Sequence, residues 1–189
     1  MTVASNRKAK WSFWRRWTAA YVLALTAGLF VFINSWYVTS FIAAFVVGDK
    51  AALYVGSVFS GAAGGAAFGF THWYIWHGRT AGAKQWTLLN AAAWAVGLPL
   101  FTFVANMIHA IPAGLVLGCA IGGIQWLLLR KQFDYAGVWV VMSMLVWMIG
   151  WEVAKVPYGM LLSIAIIGTI SGLVMMWLLE HPKQQIVNG

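Results

Sequence analysis

Charged residues, and acidic residues above all, are scarce in this sequence. Only 8% of the 189 residues are charged and four are acidic, whereas 62% are hydrophobic and 16% are aromatic. A water-soluble domain of this size needs far more polar surface, so that class is excluded. The four acidic residues form no close carboxylate pair for acid–base catalysis. The sequence also contains no Ser-His-Asp order, CxxC pair or HExxH motif. The sequence predicts a non-enzymatic membrane protein.

Cysteine occurs once, as Cys119 within an apolar run. A single cysteine cannot form an intramolecular disulfide and does not indicate the redox compartment. Long apolar runs, in contrast, recur from Thr18 onward, and each is about the 20 residues that a helix needs to cross a bilayer. They are continuous and do not alternate with polar residues, which favours helices over an outer-membrane barrel.

Six transmembrane helices are predicted in an all-α, polytopic protein. They cover Thr18 to Val47, Ala51 to Trp76, Gln85 to Met107, Pro112 to Leu129, Ala136 to Val156 and Tyr158 to Leu179. The first run is too long for the hydrophobic part of a signal peptide, so an uncleaved helix is expected. The predicted organisation is a basic cytoplasmic segment, 1–17, a single transmembrane domain, 18–180, and a short cytoplasmic tail, 181–189.

The basic residues predict the orientation, because Lys and Arg are retained on the cytoplasmic side during insertion. With both termini inside, only Lys50 and Lys155 lie outside, and ten of the twelve basic residues lie inside. The net charge of +8 is then a topology signal that also attracts anionic lipid. The basic residues are scattered over several loops, which argues against nucleic-acid binding. An inner (plasma) membrane location is expected.

A repeat is visible when residues 61–97 are laid on residues 114–150 at an offset of 53. The matched pairs are Gly61 and Gly114, Gly65 and Gly118, Gly69 and Gly122, Trp73 and Trp126, Trp86 and Trp139, Trp94 and Trp147, and Gly97 and Gly150. A fainter third copy contains Gly168, Gly172 and Trp177. The pattern predicts three helical-hairpin repeats in a pseudo-threefold arrangement about an axis near the membrane normal.

The second copy ends in Gln125-Trp126-Leu127-Leu128-Leu129-Arg130. In this feature the sequence resembles a loosely defined group of uncharacterised small bacterial membrane proteins, which carry repeated glycine stripes ending in Gln-Trp-Leu-x-Leu-Arg. The signature is degraded in the first copy and weaker still in the third. The resemblance implies the hairpin architecture and a bacterial membrane, and it implies no activity.

The repeated glycines predict a helix-packing surface. Gly61, Gly65 and Gly69 recur every four residues, as do Gly114, Gly118 and Gly122, so each trio lies along one helix face. Glycine stripes let backbones approach closely in lipid, whereas no phosphate-loop motif accompanies these glycines. Whether the facing helix belongs to this chain or to another subunit stays open.

His72 and Gln125 occupy equivalent positions in the repeat, three residues after Gly69 and Gly122. A polar side chain inside the bilayer needs a partner, and an interhelical hydrogen bond is the simpler interpretation. The alternative is cofactor binding, since histidine or an amide could ligate the metal of a tetrapyrrole pigment or haem packed among aromatic rings. Other polar residues, Asn34, Asn90, Asn106 and His109, form no recognisable constellation, and no metal-site motif is present.

Glu152 is the only acidic residue expected within a span, and Lys155 follows one turn later. An i, i+3 ion pair is the simpler interpretation, while intramembrane carboxylates also occur in transport pathways. Pro99 aligns with Glu152 in the repeat and should kink the third helix or mark a cavity.

The leading hypothesis is a structural or accessory subunit of the inner membrane that self-associates or joins a larger membrane complex through glycine and aromatic helix faces. One alternative is a pigment- or haem-binding accessory subunit, through His72 and Gln125. The other is a transporter for a small solute, an ion or a lipid, through Glu152 and Lys155.

Overall fold

The computed structural model describes residues 3–76 and 83–183, and six α-helices account for most of them. They are α1 (Val3–Val47), α2 (Asp49–Trp76), α3 (Ala83–Met107), α4 (Ala110–Leu129), α5 (Gly137–Ala154) and α6 (Gly159–Leu178). Each is long and apolar enough to cross a membrane. The predicted all-helical membrane class and the six spans are therefore confirmed.

The helices form a closed ring. Each helix packs against its neighbours in the chain, and α6 completes the ring by packing against α1. The short connections make successive helices antiparallel. At one of them Gly48 turns the chain with φ of 79°, a left-handed conformation that costs glycine little because it has no Cβ.

The N-terminal basic segment is part of α1, which begins at Val3 and continues through Arg15 and Arg16 into the apolar run. Lys10 on this segment forms a 2.6 Å ion pair with Glu180 after α6. We call this end of the bundle, where Lys84 and Arg130 also lie, the basic end. Residues 77–82, between the second and third helices, and residues 184–189 of the predicted tail lie outside the described residues.

Two chain segments at the basic end hold each other. The α4–α5 connection pairs with the segment after α6 through an isolated bridge between Phe133 and Pro182. The amide of Lys183 donates to the carbonyl of Gln132 at 2.8 Å. These bonds tie the last helix to the middle of the chain.

The interior of the ring is filled largely by aromatic side chains. Trp17 of α1, Phe68 of α2 and Trp139 of α5 are almost completely buried. The rings of Trp17 and Trp139 meet edge to face, with centroids 6.2 Å apart. Edge-to-face contacts of this kind are favourable for aromatic pairs.

Candidate functional site

The glycine stripe of α2 lies against the backbone of α3. A Cβ built on Gly61 would lie 2.6 Å from the carbonyl oxygen of Trp94, and one on Gly65 would collide with the carbonyl of Asn90. At Gly69 the nearest atom would be Cα of Thr87, at 2.9 Å. No side chain fits between these two helices, so the glycines set their distance.

The stripe of α4 makes the same contacts with α5. A Cβ on Gly114 would lie 3.1 Å from the carbonyl oxygen of Trp147, and one on Gly118 would collide with that of Ser143. A Cβ built on Gly122 would lie 2.7 Å from Cβ of Ser143. Trp147 and Ser143 are 53 residues after Trp94 and Asn90, so the two helix pairs use equivalent positions.

The glycines of α6 face α1, the first helix of the chain. Cβ atoms built on Gly168 and Gly172 would lie 3.1 Å from Val22 Cγ2 and 3.0 Å from Thr18 Oγ1. All three glycine faces thus lie against helices of this same chain. The sequence left open whether the facing helix belongs to this chain or to another subunit. In the structure it belongs to this chain.

Gln125 is the centre of a buried hydrogen-bond chain that joins α3, α4 and α5. The indole N–H of Trp139 donates to Oε1 of Gln125 at 2.7 Å. Nε2 of Gln125 donates to Oδ1 of Asn90 at 2.8 Å, and Nδ2 of Asn90 donates to the carbonyl of Trp86 at 2.8 Å. Gln125 and Asn90 are both fully buried. Each bond therefore gives a partner to a polar group that could not hydrogen-bond to lipid or to apolar side chains.

His72 is equally buried and is surrounded by aromatic rings. Its ring lies edge to face with Trp17, with centroids 4.6 Å apart. Phe68 stacks on it at 5.7 Å, and Trp86 lies tilted at 5.7 Å. His72 and Gln125 therefore belong to one core, linked through the shared neighbours Trp17, Trp139 and Trp86.

The sequence interpretation missed two partners of this core, Asn90 and Trp17. Asn90 belongs to no recognisable polar motif in the sequence, yet it links Gln125 to α3. Trp17 donates its indole N–H to Oγ of Ser171 at 3.3 Å and so joins α1 to α6. The sequence does contain a signal for Trp17. When the first helix is aligned with the third at an offset of 69 residues, Trp17 matches Trp86 and Gly28 matches Gly97.

Glu152 and Lys155 lie at the opposite end of the bundle. Nζ of Lys155 is 2.6 Å from Oε1 of Glu152, and the two side chains are 44% and 38% exposed. The structure does not bring this pair near His72 or Gln125. It is a partly exposed surface ion pair of the i, i+3 kind.

A cavity of about 290 Å³ lies in the half of the bundle away from the basic end. It is bounded by side chains of α1 to α5, among them Leu98 and Phe101, which flank Pro99. The helix α3 stays continuous through Pro99. The cavity, one of the two predicted alternatives at Pro99, is therefore present beside it.

Across residues 3–76 and 83–183, no three His, Cys, Asp or Glu side chains cluster as metal ligands would. Comparison of the chain with protein-family models, with curated proteins and with solved structures finds no match. Any function of the chain has therefore to be inferred from its own geometry.

Proposed function

We propose that this chain is a non-enzymatic structural subunit of the bacterial inner membrane that associates with a second copy of itself. The observation that supports the proposal is the length of the first hairpin. From Trp17 to Val47, α1 runs for about 46 Å at 1.5 Å per residue. The hydrocarbon layer is only about 30 Å thick.

Tilt does not remove this excess length. To fit 46 Å into 30 Å the helix would have to tilt by about 50°, outside the usual range of 0–40°. The helices α5 and α6, about 27 and 30 Å long, leave the bundle no room for a large tilt. The far end of the α1–α2 hairpin, residues 37–56, must therefore project beyond the hydrocarbon layer. We call it the outer hairpin.

The outer hairpin carries large apolar side chains on its outside. They are Tyr37, Val38, Phe41, Ile42, Phe45, Val46, Val47, Leu53 and Tyr54. The small residues Ser40, Ala43, Ala52 and Gly56 fill the seam between its two helices. A large apolar patch beyond the hydrocarbon layer marks an interaction site, and the cover proposed for it is protein.

A second copy fits this surface better than a charged partner. Phe41 and Phe45 are 67% and 78% exposed, and the whole patch is on the order of the 800 Å² that each partner of a standard interface buries. The hairpin's only charges, Asp49 and Lys50, stand side by side at its tip. In a twofold interface every contact occurs twice, once in each direction. Asp49 of each copy can therefore meet Lys50 of the other.

Light scattering of the protein in detergent micelles tests this association. The wild type should have twice the protein mass of the 20.8 kDa chain, and the Phe41→Ser/Phe45→Ser variant should have the mass of one chain. The control is Phe30→Ser, since Phe30 is 68% exposed on the same helix but within the span. A monomeric wild type would contradict the proposal.

We further infer that the bundle consists of three hairpin repeats and that both termini are cytoplasmic. The repeat is supported by the equivalent contacts of Gly61 with Trp94 and of Gly114 with Trp147. The orientation is supported by the collection of basic residues at one end of the bundle. A membrane-impermeant maleimide should label Lys50→Cys in spheroplasts of a Cys119→Ser background and spare Lys131→Cys, and the reverse labelling would overturn the orientation.

Transport of a small solute, an ion or a lipid is the second candidate, favoured by the cavity beside Pro99. Its test is flux in reconstituted vesicles, with Glu152→Gln and Lys155→Met as variants. Loss of flux in both would support a coupling role for the pair, and unchanged flux would exclude it.

A further inference from the structure

The cavity next to Pro99 has aromatic walls and a small polar patch. Phe32 and Trp36 of α1 face it from one side, and Phe101 and Trp151 line another part of the wall, with ring centroids 4.5 Å apart. The polar patch is made by the hydroxyls of Ser57 on α2 and Thr102 on α3. Their oxygens lie 3.5 Å apart.

Both hydroxyls use their protons within their own helices. Oγ of Ser57 donates to the carbonyl of Leu53 at 2.7 Å, and Oγ1 of Thr102 donates to that of Leu98 at 2.9 Å. A hydroxyl has one proton and two lone pairs. The pair therefore presents acceptor lone pairs to the cavity, and a guest that completes it must donate a hydrogen bond.

The volume limits the part of a guest that the cavity can hold. A cavity of about 290 Å³ has room for roughly ten groups of the size of a water molecule, about 30 Å³ each. The walls favour aliphatic or aromatic groups, because the lining side chains are apolar or aromatic apart from the two hydroxyls and the indole N–H groups of Trp36 and Trp151. Among the described residues no charged side chain lines the cavity, so a charged headgroup would find no counter-charge there.

We propose that this cavity binds a single-chain aliphatic alcohol of about ten carbons, or the corresponding segment of a longer lipid alcohol. The chain packs on Phe32, Trp36, Phe101 and Trp151, and the hydroxyl donates to Ser57 or Thr102. Quinones and ketones bring only an acceptor, so they do not hydrogen-bond to the Ser57 and Thr102 hydroxyls. This binding does not depend on self-association through the outer hairpin.

Competition between two matched ligands tests the proposal. The full chain in detergent micelles is labelled with a ten-carbon alcohol that carries a mid-chain diazirine, and the labelled peptides are mapped by mass spectrometry. The competitors are 1-decanol, which has a donor, and decyl methyl ether, which has none. In the wild type, label should map to the cavity lining, and decanol should compete about threefold to tenfold better than the ether, the value of one neutral hydrogen bond.

A double variant and its matched control separate binding from partition into detergent. Ser57→Ala/Thr102→Val should lower the preference for decanol to about one. The control is Ser35→Ala/Thr26→Val, because both of these hydroxyls also donate to the carbonyl four residues earlier, at 2.7 and 2.8 Å. The control should keep the wild-type preference.

Three results would overturn the proposal: label that maps away from the cavity lining, equal competition by decanol and ether in the wild type, and a preference that survives in Ser57→Ala/Thr102→Val. The first two are measured on the wild type, so the test stands even if the double variant fails to fold.

Discussion

Trp139 donates its indole N–H to Oε1 of Gln125 at 2.7 Å, which joins α5 to α4 in the core of the ring. The other end of the same amide donates to Asn90 of α3. Gln125 thus holds three helices by one side chain, at a depth where neither lipid nor aromatic neighbours could replace its partners.

Gln125→Leu should strongly destabilise the protein. The substitution leaves the Trp139 indole and the Asn90 amide without their buried partner, and each such loss costs about 1–3 kcal/mol. The measurement is unfolding in mixed micelles, followed by circular dichroism. Gln85→Leu is the control, because Gln85 is exposed on α3, and a Gln125→Leu protein as stable as this control would show that the chain of bonds contributes little.

The adjacent glycines Gly122 and Gly123 should respond oppositely to alanine. A Cβ on Gly122 would lie 2.7 Å from that of Ser143, whereas one on Gly123 would meet nothing within 4 Å. Gly122→Ala should therefore push α4 from α5 and lower the unfolding midpoint. Gly123→Ala should be neutral or stabilising by about 0.5–1 kcal/mol, since alanine favours helix. Equal destabilisation by the two substitutions would contradict the packing role.

Absorption spectroscopy decides the tetrapyrrole hypothesis, which stays a prediction. If Gln125 and His72 serve only to hold the core, protein purified from a pigment-producing host should show no visible band. A visible band that His72→Ala or Gln125→Ala removes would instead establish cofactor ligation. Both amide atoms of Gln125 already bind within the chain, which is why we expect a colourless preparation.

The Glu152–Lys155 pair should contribute little to stability. Both side chains are more than a third exposed, and ion pairs of this kind are worth about 0–1 kcal/mol. Glu152→Gln should therefore shift the unfolding midpoint only slightly, with Glu152→Gln/Lys155→Met close to the single variant. A loss of several kcal/mol from Glu152→Gln would mean that the carboxylate has a further role.

The sequence was sufficient to predict the six helices because its signals are local. Apolar runs predicted six spans that agree with the observed helices to within a few residues, apart from α1, which continues through the basic segment to Val3. Glycines at intervals of four predicted packing faces. These features depend on spacing within one helix, which periodicity reveals directly.

The partners in the core could not be predicted in the same way. Asn90 lies 35 residues from Gln125 on the neighbouring helix, so their contact depends on how α3 and α4 pack. Trp17 lies 154 residues from Ser171, and their contact depends on ring closure. The cavity was suggested only by Pro99. Its acceptor pair, Ser57 and Thr102, leaves no mark in the sequence because isolated hydroxyl residues are common on membrane helices.

Disulfide cross-linking in native membranes tests self-association through the outer hairpin most directly. In a Cys119→Ser background, Phe45→Cys should form a cross-linked pair of two copies upon mild oxidation. Phe30→Cys should stay uncross-linked, because Phe30 is also largely exposed on α1, at 68%, but lies within the span. If Phe45→Cys stays monomeric, or if both variants cross-link to the same extent, the outer hairpin does not join two copies of this chain.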